Sequence, residues 1–347
     1  MRLEFFGRAS QPGETMTGKN PFYEIEGASR WLVNTALKKP WAISIEITHN
    51  CTANCGHCDK GEVIPDEKQA TAEEYRKITD RLRPLVVQVS GGEPLMRADV
   101  LDIVRALKNP GRIPYLILAT NASLLDEAKY DALKAAGLDE LSISLDFPDN
   151  RHDENRRIPG LFAHLNALIP RLVAKGHRDV TMITAVTKRN YPYLMDMVGI
   201  TRRWGVHYNL SMYTAGRTRD HSLSITGDDL KPFRHIMDQV IEEARRGANL
   251  FSTEPVLNRY YDFFANGCRA GGCKAGIRSL VVNPDGSLCP CAMKKSTAFR
   301  THQELRKQFS SGNQCDECFI SLRANTEKPF TELVRNLRTT IQSRSES

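Results

Sequence analysis

Between Trp41 and Tyr213 the chain repeats one pattern six times: a short run of apolar and β-branched residues, then an amphipathic stretch. The runs cover residues 41–48, 85–89, 115–120, 140–145, 180–186 and 206–213. Trp41-Ala-Ile-Ser-Ile-Glu-Ile-Thr48 alternates with period two, as a strand does. Thr71 and Glu74 form a capping box that opens a helix to about Arg83. Further helices are expected through Val100, Ile103, Val104 and Leu107, ending near Asn109-Pro110-Gly111, and over residues 126–136, 162–174 and 194–204. Strands alternating with helices of this length build βαβ units and a parallel sheet. Six units suit a curved, partial (β/α)6 TIM-like barrel better than a closed eight-stranded one. On such sheets chemistry gathers beyond the carboxyl ends of the strands.

The rest of the chain surrounds that block. Phe22, Tyr23, Ile25, Ala28, Trp31, Leu32 and Ala36 recur at roughly helical spacing in an amino-terminal leader, residues 1–40. That helix reads as a cover for one end of the barrel; a membrane-surface anchor is the other reading, though its polar face is only modestly basic. The barrel core is assigned to 41–225 and linking helices to 226–266, the first running from about Asp228 to Arg246 behind a Thr226 cap, the second near Glu254–Phe264. Residues 267–325 form a turn-rich, cysteine-rich segment whose order depends on bound metal. Residues 326–347 are expected to hold an amphipathic helix, 330–341, and a disordered Ser-rich end.

Composition narrows the setting. The formal net charge of +7 comes without a basic run, so it favours anionic ligands but not nucleic-acid binding. The amino terminus lacks the apolar core of a signal peptide, and no stretch approaches the roughly 18 apolar residues of a membrane span, so a cytoplasmic protein is expected. Nine cysteines in such a chain point to metal rather than disulfides.

Cys51, Cys55 and Cys58 lie in the loop after the first strand. Three thiolates suit three irons of a four-iron cluster and leave the fourth open. Zinc would want a fourth ligand, and His57 is a poor one because neighbouring residues rarely reach one tetrahedral ion together. Ser90-Gly91-Gly92-Glu93-Pro94 follows the second strand: the glycines let backbone approach a ligand, and the Glu93 carboxylate can accept from an ammonium group. Thr120-Asn121 ends the third strand, and Ser142-Ile-Ser144-Leu-Asp146 the fourth.

Cys51-x3-Cys55-x-His57-Cys58, in that position, resembles the signature of the radical S-adenosylmethionine (radical SAM) superfamily, with His57 in its aromatic slot. The resemblance implies a [4Fe-4S] cluster whose open iron binds the amino and carboxylate groups of S-adenosylmethionine, and whose electron cleaves it to methionine and a 5′-deoxyadenosyl radical. It gives Gly91, Gly92, Glu93 and Pro94 the role of binding the amino group. The strings Ser144-Leu-Asp146, His152-Asp153-x-x-Arg156 and Gly160-x-Phe162 resemble one branch in which the Ser and Arg contact the cofactor carboxylate, roles that fall on Ser144 and Arg156. Asn121 is either a ligand contact or a strand-end cap.

The later cysteines resemble the SPASM/Twitch extension. Val281-Val-Asn-Pro-Asp-Gly286-Ser-Leu-Cys-Pro-Cys291 reads as a hairpin, and Cys315-Asp-Glu-Cys318 follows. The short Twitch form implies one auxiliary [4Fe-4S] cluster on Cys273, Cys291, Cys315 and Cys318. Cys268 and Cys289 are left over, as substitute ligands or holders of a second, incomplete cluster. A zinc knuckle is the alternative. Sulfatase-maturating members place an aspartate where this chain has Ala292, which speaks against that reaction with the same base. Glu254, Tyr208, Tyr213, Tyr260, Tyr261 and Arg217 fall in segments that could line a substrate cavity, although tyrosines there more often pack.

The expectation is hydrogen abstraction from a small metabolite or peptide, assisted by the auxiliary cluster and by an external donor such as flavodoxin or ferredoxin. A lipid or carrier-bound substrate at a membrane surface, and a non-catalytic metal-binding protein, are the alternatives. Residues 1–40 are too short for the peptide-binding domain that precedes many such barrels, which favours the smaller substrate.

Overall fold

The structure, a computed structural model, describes residues 21–108, 113–294 and 297–327. The expected end of the second barrel helix at 109–111, the helix at 330–341 and the Ser-rich end lie outside these residues.

Six parallel strands run β1 (Ala42–Glu46), β2 (Val86–Ser90), β3 (Tyr115–Thr120), β4 (Glu140–Ser144), β5 (Val180–Val186) and β6 (His207–Met212), each paired with the next. Between them lie α2 (Ala72–Leu82), α3 (Val100–Leu107), α4 (Glu127–Ala135), α5 (Arg151–Arg156), α6 (Leu161–Ala174) and α7 (Leu194–Trp204). The short α5, which carries the His152-Asp153-x-x-Arg156 string, is a helix beyond those expected from periodicity. Period-two alternation explains the layering. Ile43, Ile45, Ile47, Val87, Val89, Leu116, Leu118, Leu141 and Ile143 pack against helix residues such as Tyr75, Ile103, Tyr130 and Leu133. Each such side chain, fully buried, contributes about 1.5–3 kcal/mol. The alternate residues Ser44, Glu46, Gln88, Ser90, Ser142 and Ser144 take the other face, where the Ser44 and Ser90 hydroxyls meet at 2.8 Å.

A finding beyond the sequence reading concerns the carboxyl-terminal hairpin. Its first strand, β7 (Ser279–Val282), pairs parallel with β1, and β8 (Leu288–Cys289) returns antiparallel, so the sheet order is β6-β5-β4-β3-β2-β1-β7-β8. Four residues preceded by turns carried no βα signal from which this pairing could be read. The Asn283-Pro284-Asp285-Gly286 turn forms as expected, with Gly286 at φ +82°, and its Pro284 carbonyl accepts from the Tyr75 hydroxyl at 2.7 Å and from the Ala70 N–H at 2.6 Å.

The leader helix α1 (Pro21–Ala36) closes the amino-terminal end of the barrel. Arg30 donates to the carbonyls of Pro84 and Ile113 at 3.3 Å, Asn34 donates to that of Pro40 at 2.9 Å, and Trp31 packs on Trp41. Beyond β6 come α8 (Leu230–Arg245) and α9 (Glu254–Ala265), then α10 (His302–Gln308) and α11 (Ser321–Thr326) around the hairpin. Thr226 does not cap α8 as expected: a 3₁₀ turn, Gly227–Asp229, intervenes, and the Thr226 side chain makes no capping bond.

Candidate active site

The cysteine loop leaves the carboxyl end of β1 and is seated on the Gly-Gly turn after β2. A Cβ on Gly91 would stand 2.2 Å from the Thr48 carbonyl oxygen, and one on Gly92 2.2 Å from that of Asn50. In the structure, the close approach these glycines permit is to the cysteine loop. The Gly92 N–H donates to Thr48 and the Glu93 N–H to Asn50, both at 2.8 Å, which completes the seat.

Glu93 is fully buried. Its Oε1 accepts from the Thr120 hydroxyl at 2.6 Å and the Leu95 N–H at 3.0 Å, and its Oε2 from the Asn121 N–H at 2.8 Å. Burial pushes its pKa up against these three donors. A carboxylate accepts about four hydrogen bonds, so one acceptance is left for a ligand. Asn121 turns towards the loop: its amide donates to the Thr52 hydroxyl at 3.0 Å, and its Oδ1 accepts from the Ser123 N–H at 2.8 Å.

Arg156, on α5, is buried against the fully buried Asp146, with Nη2 to Oδ2 at 2.7 Å. Asp146 also accepts from the Asn155 amide at 2.9 Å and the Ala185 N–H at 3.1 Å. Burial acts to raise the Asp146 pKa, yet the fields of Arg156, His57 and His152 outweigh it and hold the group below its ordinary value. Arg156 Nε is buried with no partner among the described residues, and the guanidinium lies within the field of Cys55 and Cys58. The Ser144 hydroxyl, at the end of β4, likewise makes no hydrogen bond there. Asp146 was part of a quoted string but had not been singled out. Its place just beyond a strand end, ahead of the segment that carries Arg151 and Arg156, was the available signal.

The three thiols share one neighbourhood. Burial pushes Cys55 up to about 11; Arg156 opposes this, and Asp146, Cys58 and Cys51 add to it. Cys51 accepts from the Ala53 N–H at 3.4 Å. The His57 ring is driven down to about 4 by desolvation, so it is neutral beside the thiols. Among the described residues no three His, Cys, Asp or Glu side chains converge on one point as ligands of a single ion do. The fit to a cluster therefore rests on the donors: three thiols on one loop, and a buried Arg156 nitrogen beside them that lacks an acceptor. These residues suit an iron–sulfur cluster and an anionic ligand.

The thiols of the second group lie near enough to disfavour one another's ionisation. Cys291, pushed up to about 11 by burial, feels Cys273 and Cys315; Cys318, pushed up to about 12, feels Cys291 and Cys273. Arg323 threads this segment, donating to the carbonyls of Cys318, Ala270 and Gly271. Asn313 bonds the Cys273 carbonyl at 3.1 Å and receives the Cys315 N–H at 3.1 Å. Cys268 faces Ser224, and Cys289 is buried on β8 beside Asn283.

Of the candidate cavity residues, Tyr208 and Tyr260 are core side chains, Tyr213 is buried on its Thr218 contact, and Tyr261 packs under Arg234. Glu254 pairs with Arg245 at the surface. Arg217 does reach the site: its Nε donates to Asp59 at 2.7 Å, next to Cys58.

The chain thus combines a partial parallel barrel, a three-cysteine loop beyond its first strand, and a second group of cysteines in the segment that joins its edge. The Radical SAM superfamily family model matches residues 45–198, so the chain carries a domain of that family, followed by a cysteine-rich carboxyl-terminal segment. It is 30% identical over 216 residues to an AdoMet-dependent heme synthase of Methanosarcina barkeri, a match covering 59% of this chain and 60% of that protein. It is 28% identical over 275 residues to a PqqA peptide cyclase of Gluconobacter oxydans, covering 74% of this chain and 71% of the relative. The chain thus spans less than two thirds of the heme synthase's length. Among solved structures, Streptococcus suis SuiB bound to precursor peptide SuiA aligns with a TM-score of 0.59 at 17% identity, over 94% of this chain and 74% of SuiB, a likeness of fold. No helix among the described residues is long and apolar enough to cross a membrane.

Proposed function

We propose that the protein is a radical SAM enzyme that holds a [4Fe-4S] cluster on Cys51, Cys55 and Cys58 and binds S-adenosylmethionine against it. When bound, the cluster supplies the electron that cleaves S-adenosylmethionine to methionine and a 5′-deoxyadenosyl radical, which abstracts a substrate hydrogen. The observation that carries this reading is the meeting of the three thiols with the buried Arg156–Asp146 pair at the strand ends. Arg156 Nε and the Ser144 hydroxyl are donors without protein acceptors, which suits the cofactor carboxylate. The remaining acceptance of Glu93, beside the Gly91-Gly92 turn, suits its amino group. Pro94 starts a 3₁₀ turn that points the Leu95 N–H back at the Glu93 carboxylate and fixes its orientation. Neutral His57 fills the space beside the loop.

Cys273, Cys291, Cys315 and Cys318 are proposed to hold an auxiliary [4Fe-4S] cluster, with Cys268 and Cys289 outside it. Four thiols within one another's fields supply the soft donors that such a cluster needs. Such a centre would accept an electron from the substrate radical, in an oxidation or bond-forming step on a small metabolite or peptide. The matches to PqqA peptide cyclases favour a peptide. An external reductant, flavodoxin or ferredoxin, is required for turnover. Anaerobically reconstituted protein with reductant should release 5′-deoxyadenosine from S-adenosylmethionine, and Cys55→Ala should abolish it. Unchanged release from Cys55→Ala would reject the assignment.

A further inference from the structure

The barrel floor, opposite the cysteine loop, carries two unusual features side by side. The outward face of α1 is apolar where a soluble helix would be polar: Leu32 is 60% exposed, Val33 50% and Leu37 54%. Directly beside it is a cavity of about 580 Å³ lined by Lys38, His302, Arg306 and Lys307, with Gln303 and Ile277. No carboxylate lines the cavity, and none pairs with any of these four basic residues among the described residues. Arg306 donates to the Leu37 carbonyl at 3.1 Å, so stripe and cavity are one continuous surface. Burial lowers the His302 pKa, the Gly276 carbonyl it meets at 2.7 Å opposes this, and the fields of Arg306 and Lys39 add to the lowering.

We propose that this surface docks on a membrane containing anionic phospholipids. Leu32, Val33 and Leu37 enter the headgroup layer, while Lys38, Arg306 and Lys307 receive lipid phosphates. Charge disfavours occupants drawn from this chain, and the apolar stripe beside the cavity favours a lipid surface over an acidic protein. Residues 328–347 contain four basic and two acidic side chains, so that segment carries a net +2 and repels the cavity. A second copy of a chain with net charge +7 would set like charge against like. Because α1 seals the amino-terminal ends of the strands, docking turns the cysteine loop away from the lipid. The surface recruits the protein without presenting its site to the bilayer, so the proposal stands independently of the reaction assigned above.

The test is flotation of the full-length protein with vesicles of phosphatidylcholine alone or mixed with phosphatidylglycerol. Binding should require phosphatidylglycerol and fall with added salt. Each of Lys38→Gln and Lys307→Gln should weaken partitioning about fivefold, and Leu32→Asp with Leu37→Asp should abolish it. The melting temperature of these variants should not fall, since the altered side chains face solvent. Absence of binding to the anionic vesicles overturns the proposal, as does equal binding to the neutral ones. A lower melting temperature for the Leu32→Asp, Leu37→Asp variant would mean that the chain itself covers the stripe. A concentration-dependent dimer lost in that variant, or capture of an acidic redox protein in place of vesicles, would assign the surface to a protein partner instead.

Discussion

Substituting Asp146 by Asn preserves the shape of the side chain and removes its charge, leaving the Arg156 guanidinium buried without a counter-ion. Asp146 is fully buried and Arg156 nearly so. Breaking such a pair from one side costs about 3–5 kcal/mol. Asn retains part of the hydrogen bonding to Asn155 and Ala185, which puts the expected loss near the lower end, about 3 kcal/mol, or roughly a 150-fold rise in the unfolding constant. Denaturant titration of the iron-free protein measures this without the charge of a bound cluster. The pH dependence has a defined sign. The folded-state pKa of Asp146 is depressed, so its contribution is present above the unfolded value of about 3.9 and is lost as pH falls through the folded one. The gap between wild type and Asp146→Asn should therefore close below about pH 4. Replacing both partners, Asp146→Leu with Arg156→Met, should cost at least about 2 kcal/mol less than the sum of the single changes, because two apolar groups leave no orphaned charge. A loss below about 1 kcal/mol, a gap insensitive to acid, or additive single changes would show that the pair does not organise this corner of the barrel.

Gly91→Ala places a Cβ 2.2 Å from the Thr48 carbonyl oxygen, so iron bound at the first site and 5′-deoxyadenosine formation should both fall at least tenfold; Gly199→Ala on α7, whose Cβ would meet only the Arg203 guanidinium at 3.6 Å, should affect neither. Serine in place of Cys273, Cys291, Cys315 or Cys318 should lower the iron and sulfide content of reconstituted protein by one cluster, while Cys268→Ser and Cys289→Ser should retain it. Retention of iron in the first group, or zinc found in its place, would refute the auxiliary centre. Glu93→Gln sets an amide NH₂ against the N–H and hydroxyl donors that now meet a carboxylate, at a cost of about 1–3 kcal/mol, and should weaken S-adenosylmethionine binding measured calorimetrically. Arg323→Met removes donors to three carbonyls that hold the cysteine segment and should increase proteolysis between 267 and 320 while leaving barrel helices protected.

The barrel was legible because two periodicities coexist in it. Alternation such as Ile43-Ser44-Ile45-Glu46 names both a strand and its buried face, and the Thr71–Glu74 box names a helix start to the residue. The β7 pairing was not legible, since four residues between turns carry no period and the hydrogen bonds that place them come from β1. The site residues were legible as residue types but not as partners. That Gly91 and Gly92 serve the cysteine loop, and that Asp146 rather than solvent meets Arg156, depends on distances between segments far apart in the chain. The proximity of Cys273, Cys291, Cys315 and Cys318 likewise depends on the hairpin's direction once β7 has joined the sheet.

That join has a consequence for biosynthesis. While the ribosome is still making α8 and α9, β1 is paired on its β2 side alone, and its other edge exposes a row of unmet backbone donors and acceptors. The strand that carries the cysteine loop is completed only when Ser279–Val282 emerges, shortly before Cys289 and Cys291. Metal delivered to the nascent chain would therefore meet a half-supported loop, whereas metal delivered after release would find both thiol groups on one finished sheet. Late loading of the two groups together, with the unpaired β1 edge as the point of chaperone attachment until then, is the assembly order this topology favours.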